Sequence, residues 1–381
     1  MPKIIFGNGK RSELSAVVKT FGNNLLILTG KDSFMKTRYA EELLDDLHRN
    51  HITFKTDHID HEPSPEIVDG LVNKYSGSSI QVIVAVGGGS TIDAGKAVSA
   101  MLPLGEPVKE YLEGVGTKIH PGIKLPFIAM PTTAGTGSET TNNAVLSEIG
   151  TDGFKRSLRH AHFIPDVALV DPELTISCSQ KQTAISGMDA FTQLLESFFS
   201  ARNNNLTDAI ALEGIIHVKK ALKTAVFNGN DPEARAGMSY AAMLSGITLT
   251  NAGLGLVHGF ASSIGGLKTI PHGVVCGTLM GVVNRYTVER LLKAGSGSTA
   301  LQKYIRLGKL LSEADGRSDV DYAFLVANYI ESLVEELKIP VFSDYGLKEP
   351  EIIKIAQTTD HKNHPVMFTW QELAEMIRKR L

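Results

Sequence analysis

At 381 residues and 43% hydrophobic content, the chain is long enough for a full-sized core, and its length points to two domains rather than one. A formal net charge of -3, with both signs mixed along the chain, excludes a surface built to track a phosphate backbone, so nucleic acid is not an expected partner. The two cysteines, Cys178 and Cys276, form no Cys-x-x-Cys pair; this excludes a disulfide framework and a thiolate zinc site as organising principles and suits a reducing cytoplasm.

The opening segment, MPKIIFGNGKRSEL, has no apolar stretch of signal-peptide length, and no apolar run of about 18 residues follows it, so no membrane span is expected. NLLILTG (24–30) reads as a buried strand closed by Gly, and residues 35–50 carry a helical pattern. FKTDHID (54–60) is a weaker alternating strand, followed by a helix over 64–77. VIVAVGGGS (82–90) is the clearest strand, with an abrupt glycine turn and then the helix TIDAGKAVSAM (91–101). PFIAMPTT (126–133) and DVALVDP (166–172) are two further strands. This rhythm predicts a parallel, buried sheet with helices on both faces.

The texture changes near Ser179: β-type runs stop, and apolar residues recur at helical spacing in 190–200, 207–226, 234–253 and 321–338. The predicted fold class is therefore α/β plus all-α. A dinucleotide-binding parallel-sheet domain spans 1–178, and a helical metal and substrate domain spans 179–381, with SCSQKQT (177–183) as the joint. GSGS (295–298) is the single linker-like stretch.

Two loops carry the signature of a phosphate site. Gly87, Gly88, Gly89 and Ser90 follow an apolar strand and open a helix, where small residues let the backbone approach an anion and free N–H groups meet it. PTTAGTGSE (131–139) follows the next strand and offers hydroxyls without bulk. Consecutive parallel strands would deliver both loops to one crevice at the carboxyl edge of the sheet, as a dinucleotide site requires. Gly30 and Lys31 end an earlier strand where an acid would hold the ribose 2'-OH; the missing acid and the adjacent lysine favour NADP(H) over NAD(H).

A metal constellation sits in the second half. Asp189 and Gln193 share one face of the helix GMDAFTQLLES (187–197). His258 lies in GLGLVHGF (253–260) and His272 in IPHGVV (270–275). One carboxylate with two imidazoles is a reasonable ligand set for Zn²⁺ or Fe²⁺. His58, His61, His120, His160 and His162 lie in polar, loop-like contexts and read as solvated; His217 reads as packed within a helix.

GGGSTIDAGKA, PTTAGTGSE, DPELT, GMDAFTQLLES and LGLVHGFASSIGG with PHG, in that order, resemble the iron-containing (group III) alcohol dehydrogenases over essentially the whole chain. The resemblance implies an active site in the cleft between a nucleotide-binding domain and a helical domain, and a homodimer or higher homo-oligomer. By motif, Asp189, His258 and His272 match metal-ligand positions. Gly87, Gly88, Gly89, Ser90 and Asp93 match the pyrophosphate loop, and Thr132, Thr133 and Thr136 the second cofactor loop. Lys155 matches a cofactor-contacting lysine, and Gly30 the position where NAD-preferring members often carry Asp. His361, in TDHKNHP (359–365), matches a segment near the cleft and is a candidate to take the alcohol proton. Two departures stand out. Gln193 replaces the second helical His, and Ser262 replaces the His that often follows the first histidine ligand by one turn. Gln193 would then ligate through its amide oxygen.

The implied reaction is metal-assisted hydride transfer between NAD(P)(H) and a small alcohol, aldehyde or ketone. Rival readings are a zinc polyol dehydrogenase or maleylacetate-type reductase, a dehydroquinate-synthase-like lyase that recycles its NAD, and a catalytically weak nucleotide-binding regulator. The departures at Gln193 and Ser262 keep the last of these open.

Overall fold

The computed structural model describes residues 1–295, 297–312 and 316–381, so part of the linker-like 295–298 stretch lies outside the described residues. The first half is a six-stranded sheet, every pair parallel, in the order β1-β8-β5-β4-β2-β3. Its strands are β1 (Lys3–Phe6), β2 (Asn24–Gly30), β3 (Thr53–Ile59), β4 (Val82–Gly87), β5 (Phe127–Pro131) and β8 (Val167–Val170). The helices α1 (Leu14–Lys19), α2 (Arg38–Arg49), α3 (Pro65–Tyr75) and α4 (Gly89–Met101) connect them. Ser64 starts α3 by accepting the Ile67 N–H, with Pro65 in the first turn, where a missing N–H costs nothing.

Strand alternation divides the core. Leu26, Leu28, Ile83 and Ala85 face a layer with Val68, Val72 and Val98. Leu25, Ile27, Val82, Val84 and Val86 face the opposite layer with Leu43 and Leu47. A strand buried on both faces cannot alternate apolar with polar residues, which is why VIVAVG reads as a continuous apolar run. Sequence periodicity does not reveal β1, which is short, or the antiparallel hairpin of β6 (Asn143–Glu148) and β7 (Phe154–Arg159), whose residues are mostly polar or charged.

No described strand follows β8. Helices α5 (Gln180–Phe199), α6 (Asn205–Phe227), α7 (Pro232–Ala252), α8 (Leu256–Leu267), α9 (His272–Ala294), α10 (Thr299–Leu311), α11 (Asp319–Glu336), α12 (Glu349–Thr358) and α13 (Trp370–Arg378) share one large apolar cluster. Ser179 caps α5 through the Gln182 N–H, and Asp231 caps α7 through the Ala234 N–H. No single described helix is long and apolar enough to cross a membrane. His120 departs from its expected solvation: it is 5% exposed, with its ring between the Ala100 carbonyl and the Gly122 N–H.

Candidate metal centre and nucleotide loops

Three helices converge on one point because two glycines let them. On α9, a Cβ at Gly273 would lie 2.3 Å from the Ile185 carbonyl oxygen, and one at Gly277 would lie 3.2 Å from the Met188 Cβ. With no side chain at either position, α9 presses against α5, and His272 comes to Asp189. The α8 helix delivers His258 from its first turn.

Asp189 Oδ1 lies 3.4 Å from His258 Nε2 and 3.6 Å from His272 Nε2. That oxygen is buried without a hydrogen-bond partner, as is His272 Nδ1. A buried, unpaired carboxylate oxygen is costly on its own and is what a cation would satisfy. Asp189 and His258 keep only 3% and 4% of their side-chain surface, whereas His272 keeps 27%, so the centre opens on the His272 side.

Sequence reasoning missed a further donor-type side chain at this point. Cys276, one turn after His272 on α9, puts its Sγ 3.7 Å from His258 Nε2 and 3.8 Å from His272 Nε2. The donor atoms of Asp189, His258, His272 and Cys276 all lie within 4.8 Å of one another. The search for a Cys-x-x-Cys pair does not detect such an arrangement, in which a His-x-x-x-Cys pair shares one helix face. Gln193 stands one turn beyond Asp189, but its Oε1 accepts from the Ser245 hydroxyl at 2.6 Å. Ser262 donates to the His258 carbonyl of its own helix, 2.9 Å away.

Glu196 is the second residue missed, although its place two turns after Asp189 on α5 was a readable signal. Its carboxylate accepts from the Val257 N–H at 2.6 Å and from His258 Nδ1 at 2.7 Å. It thereby caps α8 and orients the imidazole together. Behind it, His364 is wedged against Thr287, Nε2 to Oγ1 2.9 Å, and burial pushes its pKa down to about 4.

Burial opposes charge throughout this centre. In Asp189 the attraction of His272 and His258 overcomes it and holds the carboxyl below its ordinary value. In His258, Cys276, Asp189 and Glu196 overcome it and raise the imidazole well above its ordinary value. In His272 burial wins, aided by repulsion from Lys155 and His258, and the pKa falls to about 4. Burial pushes the Cys276 thiol up to about 12. A neutral His272 beside an ionised Asp189 is the state in which these groups can ligate.

The two phosphate loops meet as the strand order dictates. Gly87 is level with Pro131, and the Thr132 N–H donates to the Gly87 carbonyl at 2.9 Å. Helix α4 begins at Gly88 with no side-chain cap, leaving its first N–H groups for a ligand. A Cβ at Gly89 would lie 2.5 Å from Thr136 Cγ2, and one at Gly88 would lie 3.4 Å from Thr133 Cγ2. Gly88, Gly89, Ser90, Thr133 and Thr136 are half-buried at this edge, while Thr132 is buried. The same loop reaches the helical half, since a Cβ at Gly135 would lie 3.0 Å from the Ser186 Cβ on α5.

The other expected cofactor residues have protein partners. Asp93 accepts from Ser138 Oγ and, at 3.0 Å, from the Val145 N–H; it braces the second loop from behind. Buried Lys96 does the same, donating to the Ser138 and Asn143 carbonyls at 2.8 and 2.7 Å. Lys155 pairs with Glu62 at 2.7 Å. Lys31 is exposed, 3.5 Å from Asp60 at the end of the neighbouring strand. His361 is not among the clustered donors: its Nε2 accepts the Phe368 N–H at 3.0 Å.

Residues 2–172 match the family model described as iron-containing alcohol dehydrogenase, and residues 183–381 match the C-terminal model of the same family. The chain is 34% identical to alcohol dehydrogenase 4 of Schizosaccharomyces pombe, over 91% of this chain and 79% of that protein. It is 28% identical to the NAD-dependent methanol dehydrogenase of Bacillus methanolicus, over 100% and 98% respectively. The solved alcohol dehydrogenase of Oenococcus oeni superposes with a TM-score of 0.89 at 28% identity, covering 100% of this chain and 99% of that one.

Proposed function

The chain belongs to the iron-containing alcohol dehydrogenase family and is a metal-dependent oxidoreductase, and from that premise we propose how its own residues serve hydride transfer between NAD(P)(H) and a small alcohol or carbonyl compound. One observation carries the reading: Asp189, His258 and His272, from three helices, aim donor atoms at one point, and one of those atoms is buried without a partner.

When bound there, a divalent metal supplies Lewis acidity to the substrate oxygen. Asp189 contributes the negative charge of the site and the imidazoles neutral donors. Glu196 holds His258 through Nδ1 and so keeps Nε2 turned to the centre. The N–H groups opening α4, with Ser90, Thr132, Thr133 and Thr136, bind the cofactor pyrophosphate and ribose. Gly88 and Gly89 keep that cradle free of side chains. The contact between the second loop and α5 ties the nucleotide to the metal helix, which orients the nicotinamide for transfer.

We further read the cofactor preference as modestly toward NADP(H). Gly30 offers no acid to repel a 2'-phosphate and Lys31 offers a cation, but Asp60 beside that cation weakens it. The division of labour falls at residues 178 and 179, and the chain acts as a cytoplasmic homodimer or higher homo-oligomer. A panel of short alcohols and aldehydes, run with NADH and NADPH after loading with Zn²⁺ or Fe²⁺, tests the activity. Turnover that disappears with chelator is expected; none with any substrate under either metal would sink the reading.

A further inference from the structure

We propose that Cys276 is the fourth protein ligand of the metal centre, making it an Asp-His-His-Cys site that selects zinc over iron. The inference rests on the reading that Asp189, His258 and His272 hold a divalent metal.

Geometry is the first argument. An ion bound at about 2.0–2.1 Å to oxygen and nitrogen and about 2.3 Å to sulfur has tetrahedral ligand-to-ligand edges of about 3.3 Å between N and O and about 3.6 Å between N and S. The observed edges are 3.4 and 3.6 Å from Asp189 Oδ1 to the two imidazoles, and 3.7 and 3.8 Å from Cys276 Sγ to the same nitrogens. These four edges stand at ligand spacing before any ion is added, and all four donors lie within 4.8 Å of one another.

Charge is the second. Asp189 and a Cys276 thiolate would balance a divalent cation in a pocket where Asp189 and His258 are almost wholly buried. With Gln193 as the fourth ligand, one positive charge would remain on the ion and its ligands, and the nearest counter-charge would be the Glu196 carboxylate beyond His258. The Gln193 oxygen is also held by Ser245. On ligation the Cys276 S–H proton leaves to solvent and a sulfur–metal bond forms, with no change in oxidation state. Thiolate is a soft donor, and among common divalent ions it favours zinc over iron and excludes magnesium.

Full-length protein stripped with a chelator and titrated with Co²⁺ tests this without recourse to activity. One Co²⁺ per chain is expected, with visible d–d bands and a strong thiolate-to-cobalt charge-transfer band in the near ultraviolet. Cys276→Ser should lose the near-ultraviolet band and bind Zn²⁺ at least about 100-fold more weakly, the upper end of what losing a mere supporting partner costs. Cys178→Ser should keep both. Visible bands without the charge-transfer band in the unmutated protein would overturn Cys276 as a ligand and leave the three-residue centre standing. No cobalt uptake would overturn both. The unmutated spectrum decides even if Cys276→Ser does not fold. An anaerobic competition between equimolar Zn²⁺ and Fe²⁺ should end with zinc bound, and predominant iron would overturn the selectivity.

Discussion

Glu196 and His258 form the pair that orients the candidate metal centre: the carboxylate accepts a hydrogen bond from Nδ1 at 2.7 Å and leaves Nε2 to face Asp189 at 3.4 Å. The same carboxylate accepts the Val257 N–H, so the tautomer of the ligand and the start of its helix are set by one side chain. Glu196→Gln keeps the shape but offers a weaker acceptor and no charge. Metal affinity should fall about 10–100-fold, read by calorimetric titration, with the far-ultraviolet spectrum unchanged. An unaltered affinity would remove Glu196 from the centre.

Metal removal should act on folding as well as activity. If the proposed ion binds the folded chain more tightly than the unfolded one, chelation should lower the unfolding temperature, and excess Zn²⁺ should restore it. Asp189→Asn should abolish the zinc-dependent part of that shift. A melting curve indifferent to chelator in the parent protein would contradict a bound metal.

The helix contact that assembles the centre is sensitive to one methyl group. In Gly273→Ala the new Cβ would meet the Ile185 carbonyl oxygen at 2.3 Å, forcing α9 away from α5. A loss of about 1–3 kcal/mol in denaturant unfolding is expected, together with weakened metal binding. Gly70, inside α3 with open space around it, serves as a control when changed to Ala.

Nucleotide binding should respond to the same kind of change at Gly89. A Cβ there would strike Thr136 at 2.5 Å and part the two loops. Gly89→Ala should raise the cofactor KM about tenfold or more while leaving zinc affinity alone. Lys31→Ala should weaken NADPH several-fold and NADH little, and Asp60→Asn should do the reverse by freeing the lysine. Equal effects on both cofactors would remove Lys31 from cofactor choice.

Glu139, in the second loop, is pushed up to about 7 by burial. Between about pH 4.5 and 7 the native chain holds a proton there that the unfolded chain has released, so stability falls as pH rises through this window. Glu139→Gln should flatten that slope and stabilise the protein above pH 7 by up to about 3 kcal/mol. Urea unfolding of both proteins at pH 5 and pH 8 gives the comparison.

Much of this was written in local sequence. Apolar runs located β2, β4, β5 and β8, the first two closed by glycine, because a strand buried on both faces must be apolar throughout. Small residues after β4 and β5 marked the loops, since only they admit a phosphate to the backbone. Asp189, His258 and His272 were legible as a ligand set by residue type and by family motif. The tertiary structure decided the rest, because it turns on what lies near in space. Only the packing of α9 on α5 through Gly273 and Gly277 brings Cys276 among the donors. Only the position of Ser245 takes up the Gln193 oxygen, and only the adjacency of β2 and β3 sets Asp60 against Lys31. Sequence spacing fixes which side chains share a face of one helix; which faces meet depends on the shape of every residue between them.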